Sequence, residues 1–425
     1  MKILFISPRF RGGGAERCAR ELFEGMRERG HTTEMWTAVP EENVPEGVHY
    51  VRTFAERLLY PVNYIDPVAD WRHISTRRKL DAIQPGDFDV VHLHNIHGHW
   101  ISIKALHRLC QRLPVVWTLH DEWAVTGGVP YDLSRTPQSE DQLSTFAERS
   151  GPAFPLSTRT SKAVAWNRFL STWLPQPDVV VTPSIYMANL INESRHFANS
   201  DAKLIRNGLR LIDHNARSTS REESRKVWNL RGEGKAILLI AASLDSPYKG
   251  VSLALDALNK YAATFQNRCP VSLLVLGRNS DSFLARLDSR IPVTSGYAAD
   301  DAQLCSAYRA ADITLTPSIA DNFPYVVLES FACSRPVVAF RIGGLAEMIG
   351  NDERGMLVEP FSAESMAMAL LDILQDDERR EIDAAAASSW VEHLCGFSTY
   401  LDQLEKSYSE IVQHHCSHSP LCHSL

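Results

Sequence analysis

Two acids, Asp321 and Glu329, stand seven residues apart within the stretch Ala311–Glu347. Ahead of them, Asp312–Pro317 is a short β-branched run that reads as a buried strand ending in a turn. Between them, Val326, Val327 and Leu328 begin an apolar helix that continues through Phe331 and Cys333. Pro336–Phe340 reads as a further strand, and Gly343-Gly344 opens another turn. In an open α/β sheet, ligands bind at the carboxyl ends of the strands. Two carboxylates there can accept hydrogen bonds from several hydroxyls, which suits a ribose or a sugar ring. The same acids could instead cap and charge a helix start. Spacing leaves both readings open.

Three further strand ends carry groups of similar use. Lys2–Ser7, the glycine-rich Pro8–Gly14 and the periodic stretch Ala15–Arg29 make a strand, a loop and a helix. Glycines let backbone amides approach a phosphate, and a helix N-terminus favours an anion. Gly12-Gly13-Gly14-Ala15-Glu16-Arg17 departs from GxGxxG at Arg17, so a plain tight turn serves as well. His120 closes the strand Pro114–His120, where an imidazole can exchange a proton with a ligand or simply be satisfied in place. Lys249, in Tyr248-Lys249-Gly250, follows the strand Ala236–Ala241 and can reach a pyrophosphate or sit in solvent. His92, His94, His97 and His99 include an HxH pair on one strand face. With no downstream partner set they read as a polar strand rim, not a metal site.

The elements that must hold these groups alternate through both halves. Strands fall at Thr33–Val39, Asp89–His94 and Asp178–Pro183, then at Val271–Leu276, Ile313–Thr316 and Gly355–Val358, with helices between. That alternation implies two parallel, doubly wound sheets. The polar stretch Asp213–Lys235 reads as the join. The expected domains are 1–210 and 211–390. A helix at 391–412 is expected to pack back toward the N-terminal domain, with a disordered tail at 413–425. Ser362 to Val412 reads as one long helical stretch. Its tail carries His and Cys that could bind metal, though the spacing suits a loose end.

Composition limits the function. The chain has 425 residues, 44% hydrophobic and 22% charged, as in ordinary globular proteins. Residues 1–206 carry a net charge of +1 and the remainder −8, which argues against a nucleic-acid partner. The eight cysteines lack CxxC spacing and suit free thiols in a reducing compartment. No apolar run approaches the roughly 20 residues of a membrane span, so a cytoplasmic location is expected. Two basic-aromatic stretches, Ser157–Pro175 and Trp71–Lys79, could touch a membrane surface or pack into the core.

Taken in order, these pieces resemble the retaining family 4 glycosyltransferases of the GT-B fold. The resemblance rests on GGGAER, TLHD at 118–121, RNG at 206–208, YKG at 248–250 and TPSIADNFPYVVLESFACSRPVVAF at 316–340, followed by GGLAE. The segment 316–340 resembles the family's E-x7-E motif, with Asp321 in the first acidic place. WTLHDEWAVTGG is similar to members that build bacterial exopolysaccharides and envelope glycans. The resemblance implies two Rossmann-like domains facing a central cleft. It implies that Gly13, Gly14 and Lys249 bind the diphosphate of a UDP- or GDP-sugar. His120, Asp321 and Glu329 become the catalytic set. Asn322, Phe323 and Pro324 would hold the donor sugar. The nucleoside would meet Glu329 and the surroundings of Gly277, Arg278, Gly296 and Tyr297. No cofactor or metal is implied. The acceptor is a glycan or lipid-linked molecule, with possible peripheral contact at the inner face of the membrane. Three departures stand out. Ser243 occupies the place of the family's usual Arg, Asp321 replaces Glu, and Ser334-Arg335 replace smaller residues, with Arg335 a candidate substitute charge. They keep two other readings in view: a GT-B nucleotide-sugar epimerase, and a catalytically weak sugar-nucleotide binding protein.

Overall fold

A computed structural model of the chain describes residues 1–58, 70–133, 161–198, 200–210, 220–230 and 234–418. Among these, one compact unit takes in 1–133, 161–208 and 398–418, and a second takes in 209–397.

The first unit holds β1 (Lys2–Ile6), β2 (Thr32–Thr37), β3 (Val48–Tyr50), β4 (Val90–Leu93), β5 (Val115–Thr118), β6 (Val179–Thr182) and β7 (Asp201–Leu204). They form one sheet in the order β3-β2-β1-β4-β5-β6-β7, with every pairing parallel. β4, β5 and β6 are Val-rich and buried along their whole length, because helices cover both faces of a parallel sheet. The edges β3 and β7 are short, β3 only partly buried and β7 largely exposed. They carry no apolar run, which is why periodicity does not reveal them.

The helix Ser161–Trp173 settles one of the two basic-aromatic stretches. Trp166 and Leu170 are buried in the first unit's core. The Trp166 ring meets Trp123 at 5.8 Å and Phe169 at 5.5 Å. Gly128, at φ +115°, allows that approach: a Cβ there would lie 2.7 Å from the Trp166 Cβ. Packing therefore uses this aromatic face. The other stretch behaves differently. Trp71 and Ile74 are 65% and 44% exposed, and Phe54 and Leu58, on the helix Phe54–Leu58, are 65% and 64% exposed. Glu56 ties the two segments together by accepting from the Ser75 amide at 2.7 Å and from the Ser75 hydroxyl.

The second unit holds β8 (Lys235–Ser243), β9 (Val271–Arg278), β10 (Val293–Gly296), β11 (Ile313–Thr316), β12 (Val337–Phe340) and β13 (Gly355–Val358). Their order is β10-β9-β8-β11-β12-β13, again all parallel. β10 is the exposed edge that sequence pattern misses. Part of the expected join, 213–219 and 231–233, lies outside the described residues. Between them Ser220 and Glu223 form a capping box on the helix Arg221–Val227. Arg225 from that helix pairs with buried Asp312, so this segment is built into the second unit.

The long C-terminal helical stretch is three helices, Ala363–Gln375, Asp377–Leu394 and Phe397–His418. Asp376 divides the first two because its side chain accepts from the Arg379 amide and caps a new start. Cys395 and Gly396 divide the next two. The last helix runs on to His418, past the expected start of a loose tail. Residues 419–425 lie outside the described residues.

Candidate active site

In each sheet, chain order reverses direction about one central strand, and crevices form at such points. In the first unit this strand is β1, flanked by β2 and β4; in the second it is β8, flanked by β9 and β11. Gly13, Gly14, Lys249, Gly277, Arg278 and Asp321 fall at the carboxyl ends of these strands or just after them, His120 follows β5, Gly296 and Tyr297 end β10, and Glu329 lies within the helix Tyr325–Ala332.

In the second unit, Lys249 follows β8 and Asp321 follows β11. Their side chains meet, Lys249 Nζ donating to Asp321 Oδ2 at 2.7 Å. The lysine side chain is 35% exposed and the carboxylate 8%. Gly250 makes the approach possible. It sits at φ +59°, and a Cβ there would lie 2.0 Å from the Pro317 carbonyl oxygen. Both residues line a small pocket with Thr316, Ser318 and Pro324. Asn322 is buried, and Phe323 is buried with its ring 6.2 Å from that of Trp390.

The helix-capping reading of the two acids fails here. The helix Tyr325–Ala332 has Pro324 at its N-cap, without a side-chain cap and without an acid in its first turn. Glu329 sits one turn further in. It is buried and accepts from the Tyr308 hydroxyl at 2.6 Å. Tyr308 is a partner that sequence reasoning missed, because an isolated tyrosine in a helix carries no pattern.

Gly277-Arg278 and Gly296-Tyr297 end the neighbouring strands β9 and β10, with Gly296 in register with Leu276. Tyr297 is 72% exposed. Gly277, at φ +146°, leaves room for the Ala241 carbonyl. Arg278 stands in register with Ser243 across the β8–β9 ladder and donates Nε to the Ala242 carbonyl at 3.1 Å. Ser243 itself donates to Asp245. The suggestion that Arg335 replaces the missing arginine is overturned. Arg335 follows the C-terminal end of the helix Tyr325–Ala332 and precedes β12, so it lies at the amino ends of the strands, opposite Lys249. Its guanidinium is spent on the carbonyls of Ser334 and Arg309.

In the first unit, the glycine loop opens α1 (Gly14–Glu28), with Gly13 at the N-cap and no side-chain cap. Glu41 holds the loop before it by accepting from the Phe10 and Arg11 amides at 2.8 and 3.0 Å. Glu16 folds back over the glycines, and a Cβ on Gly13 would lie 3.4 Å from its carboxylate.

The histidines do not form a polar rim. His92 and His94 are wholly buried and their rings stack at 4.4 Å. The helix Phe397–His418 helps cover them: Tyr408 Oη lies 2.6 Å from His92 Nδ1, while Thr118 Oγ1 lies 2.8 Å from His92 Nε2. His94 Nδ1 lies 3.0 Å from His120 Nε2. Burial lowers the pKa of His92 to about 3 and that of His120 to about 4, and holds His94 well below its ordinary value. All three are therefore neutral imidazoles at pH 7. His97 differs. Burial alone would lower it, but Asp121, 2.6 Å away, raises it overall. Among the described residues, Cys18, His94 and His120 also form a group able to hold a metal ion.

No helix among the described residues is long and apolar enough to cross a membrane.

Residues 12–211 match the family described as Glycosyltransferase Family 4, and residues 235–376 match Glycosyl transferases group 1. The chain is 26% identical to a phosphatidyl-myo-inositol mannosyltransferase of Mycolicibacterium smegmatis, over 94% of this chain and 90% of that one. It is 33% identical to a D-inositol 3-phosphate glycosyltransferase of Rhodococcus jostii, over 39% of each. Its fold matches sucrose-phosphate synthase of Thermosynechococcus elongatus with a TM-score of 0.70 at 18% identity, covering 97% of this chain and 99% of that one. It also matches HepE of Anabaena in complex with UDP and glucose, with a TM-score of 0.64 at 18% identity, covering 96% and 99%. Two all-parallel α/β units with these matches identify a GT-B glycosyltransferase, and the chain belongs to glycosyltransferase family 4.

Proposed function

We propose that this enzyme transfers a sugar from a UDP- or GDP-sugar, with retention and without a catalytic metal, to a glycan or lipid-linked acceptor in cell-surface glycan synthesis. The observation that carries the reading is the Lys249–Asp321 pair at the strand-order reversal of the second unit. A cation held there meets the donor diphosphate and the departing nucleotide. In this reading Glu329 accepts from the ribose hydroxyls, oriented by Tyr308. Asp321 and the backbone of Asn322, Phe323 and Pro324 hold the donor sugar. Gly277, Arg278, Gly296 and Tyr297 border the nucleoside. From the first unit, Gly13 and Gly14 offer amides to the diphosphate and neutral His120 accepts or donates a hydrogen bond at the sugar. The acceptor's proton passes to the leaving phosphate. The donor class is supported by HepE, whose structure contains UDP and glucose, and the lipid-linked acceptor by the mannosyltransferase relatives.

The test is incubation with labelled UDP- and GDP-sugars, with and without envelope lipid extract. Labelled lipid or glycan is the expected product. Donor interconversion without acceptor would make the protein an epimerase, and tight binding without product a binding protein.

A lipid-linked acceptor brings the enzyme to a membrane, and one surface fits an anionic bilayer. Phe54, Leu58, Trp71 and Ile74 are exposed together with Arg57, which lies over the Phe54 ring, while half-buried Arg72 lies over the Trp71 ring. Arg77 and Arg78 follow on the helix Ile74–Ala82. Basic groups beside a surface contribute about 1 kcal/mol each on anionic lipid. Co-sedimentation with phosphatidylglycerol vesicles is expected, with little on phosphatidylcholine. Replacing Phe54 and Trp71 by Ser is expected to weaken binding about tenfold or more. Equal sedimentation of the variant refutes this surface.

A further inference from the structure

We propose that Cys18, His94 and His120 form a binding site for Zn²⁺, and that its occupation inhibits transfer. Cys18 lies on α1, His94 directly after β4 and His120 two residues after β5. β4 and β5 are neighbouring strands, so the two loops emerge side by side. One donor atom from each residue, the Cys18 sulfur and a ring nitrogen of each histidine, lies within 4.8 Å of the others. Tetrahedral zinc with ordinary Zn–N and Zn–S bonds needs donors about 3.3–3.6 Å apart. The gap closes with side-chain movements of about 1 Å or less.

A second observation points the same way. His94 is wholly buried, yet its Nε2 has no hydrogen-bond partner among the described residues. Such an orphan atom costs stability unless something meets it. Its other nitrogen faces His120. In the tautomer whose Nδ1–H faces His120, that Nε2 offers an unmet lone pair, on a ring grouped with a thiol and a second imidazole. One sulfur and two nitrogens suit zinc or cobalt and disfavour magnesium and calcium, which prefer oxygen.

The surroundings complete the site. Cys18 Sγ lies 3.3 Å from Tyr400 Oη and 3.6 Å from Asn207 Oδ1. On binding, the thiol gives its proton to water and the sulfur forms a bond to the ion. Tyr400 can then donate to the thiolate, as outer partners of metal ligands do. His120 is the one member with some exposure, so the ion enters there. Three protein ligands leave a fourth position for water. An ion on His120 removes that imidazole from the sugar contact proposed above. Inhibition thus rests on the proposed function, but binding does not.

The full chain carries other possible ligands at His414, His415 and Cys416, with Cys416 exposed and His415 engaged with Asp178. The experiment separates them. Metal-free wild type, Cys18→Ser, His94→Gln and Cys416→Ser are titrated with Co²⁺ and followed by thiolate-to-cobalt charge-transfer absorption. One ion per wild-type chain is expected, with the band retained in Cys416→Ser and lost in Cys18→Ser. Affinity should fall about tenfold or more in His94→Gln. Circular dichroism and thermal unfolding establish that the variants are folded. No uptake, or a band that survives Cys18→Ser, overturns the site. In the transfer assay, equimolar Zn²⁺ should suppress wild type and leave Cys18→Ser running at its zinc-free rate. Equal suppression of both overturns the inhibitory role. If no donor is ever transferred, the cobalt band still decides the binding site, and only the functional reading falls.

Discussion

Lys249→Ala is expected to lower transfer by roughly 10²–10³-fold, the usual consequence of removing a group that stabilises developing charge. The loss should appear in kcat as well as in donor KM, because the charge on the departing diphosphate grows as the sugar leaves. Stability should change little by comparison. Asp321 loses its cation, but Lys249 is a third exposed, so solvent already screens the pair. Lys249→Arg should restore only part of the rate, since a planar fork does not reproduce an ammonium point charge beside Asp321. Arg278 gives this prediction a second arm. It stands in register with Ser243, where the family's usual arginine is missing, and its side chain is exposed on the same sheet end. Arg278→Ala should weaken donor use about three- to thirtyfold. If both cations meet the same diphosphate, the double variant will depart from additivity by roughly 0.5–3 kcal/mol. Steady-state kinetics over a donor series measures all of this. A Lys249→Ala enzyme with wild-type rates would refute the assignment.

Mild acid is expected to unfold the first unit. His73 and His120 have pKa values lowered to about 4 and His92 to about 3, each chiefly by burial. The unfolded chain binds these protons near pH 6.5, while the folded chain refuses them until far lower. Stability therefore rises with pH between about 4 and 6.5, is complete above 6.5, and is lost as pH falls through that window. Each group held near 4 contributes on the order of 3 kcal/mol across it. His94 and His196 act with the same sign. His97 and His415, both raised by their aspartates, act with the opposite sign, since protonation favours the folded form. The lowered group is larger, and its sum rivals the whole stability of a domain. Denaturant titrations at pH 7, 6 and 5, followed by tryptophan fluorescence, are the measurement. Seven of the nine tryptophans (36, 71, 100, 117, 123, 166 and 173) lie in the first unit, so the signal reports mainly on it. His92→Gln should flatten the slope. A midpoint unchanged from pH 7 to 5 would mean that these rings are not neutral in the folded protein.

Much of the architecture is legible in the sequence because parallel strands buried on both faces must be continuous apolar runs. Val179–Thr182 and Ile313–Thr316 could scarcely be anything else. The edges β3, β7 and β10 escaped because solvent covers much of them and no pattern is enforced. At the candidate site, the loops were legible, since glycines, a histidine and a lysine after strands mark the carboxyl edge. The pairings were not. Nothing in local spacing brings Lys249 to Asp321 across 72 positions, or Tyr308 to Glu329. His92 and His94 show the limit most clearly. Alternation correctly puts them on one face, but what lies over that face is a helix more than 300 residues later.

That distant helix also sets an order of events during synthesis. Residues 209–397 form the second unit, and the chain returns to the first only at 398. At roughly 5–20 residues per second, a ribosome spends on the order of 10–40 s making the intervening unit. Throughout that interval the first unit lacks Tyr400 and Tyr408, and with them the cover over Cys18 and His92. The second unit has all of its strands in one uninterrupted segment and is free to fold as it emerges. The usual N-to-C sequence of folding is thus inverted in this chain: the half that is made first is finished last, and it is the half that most needs protection from premature aggregation or cleavage on the ribosome.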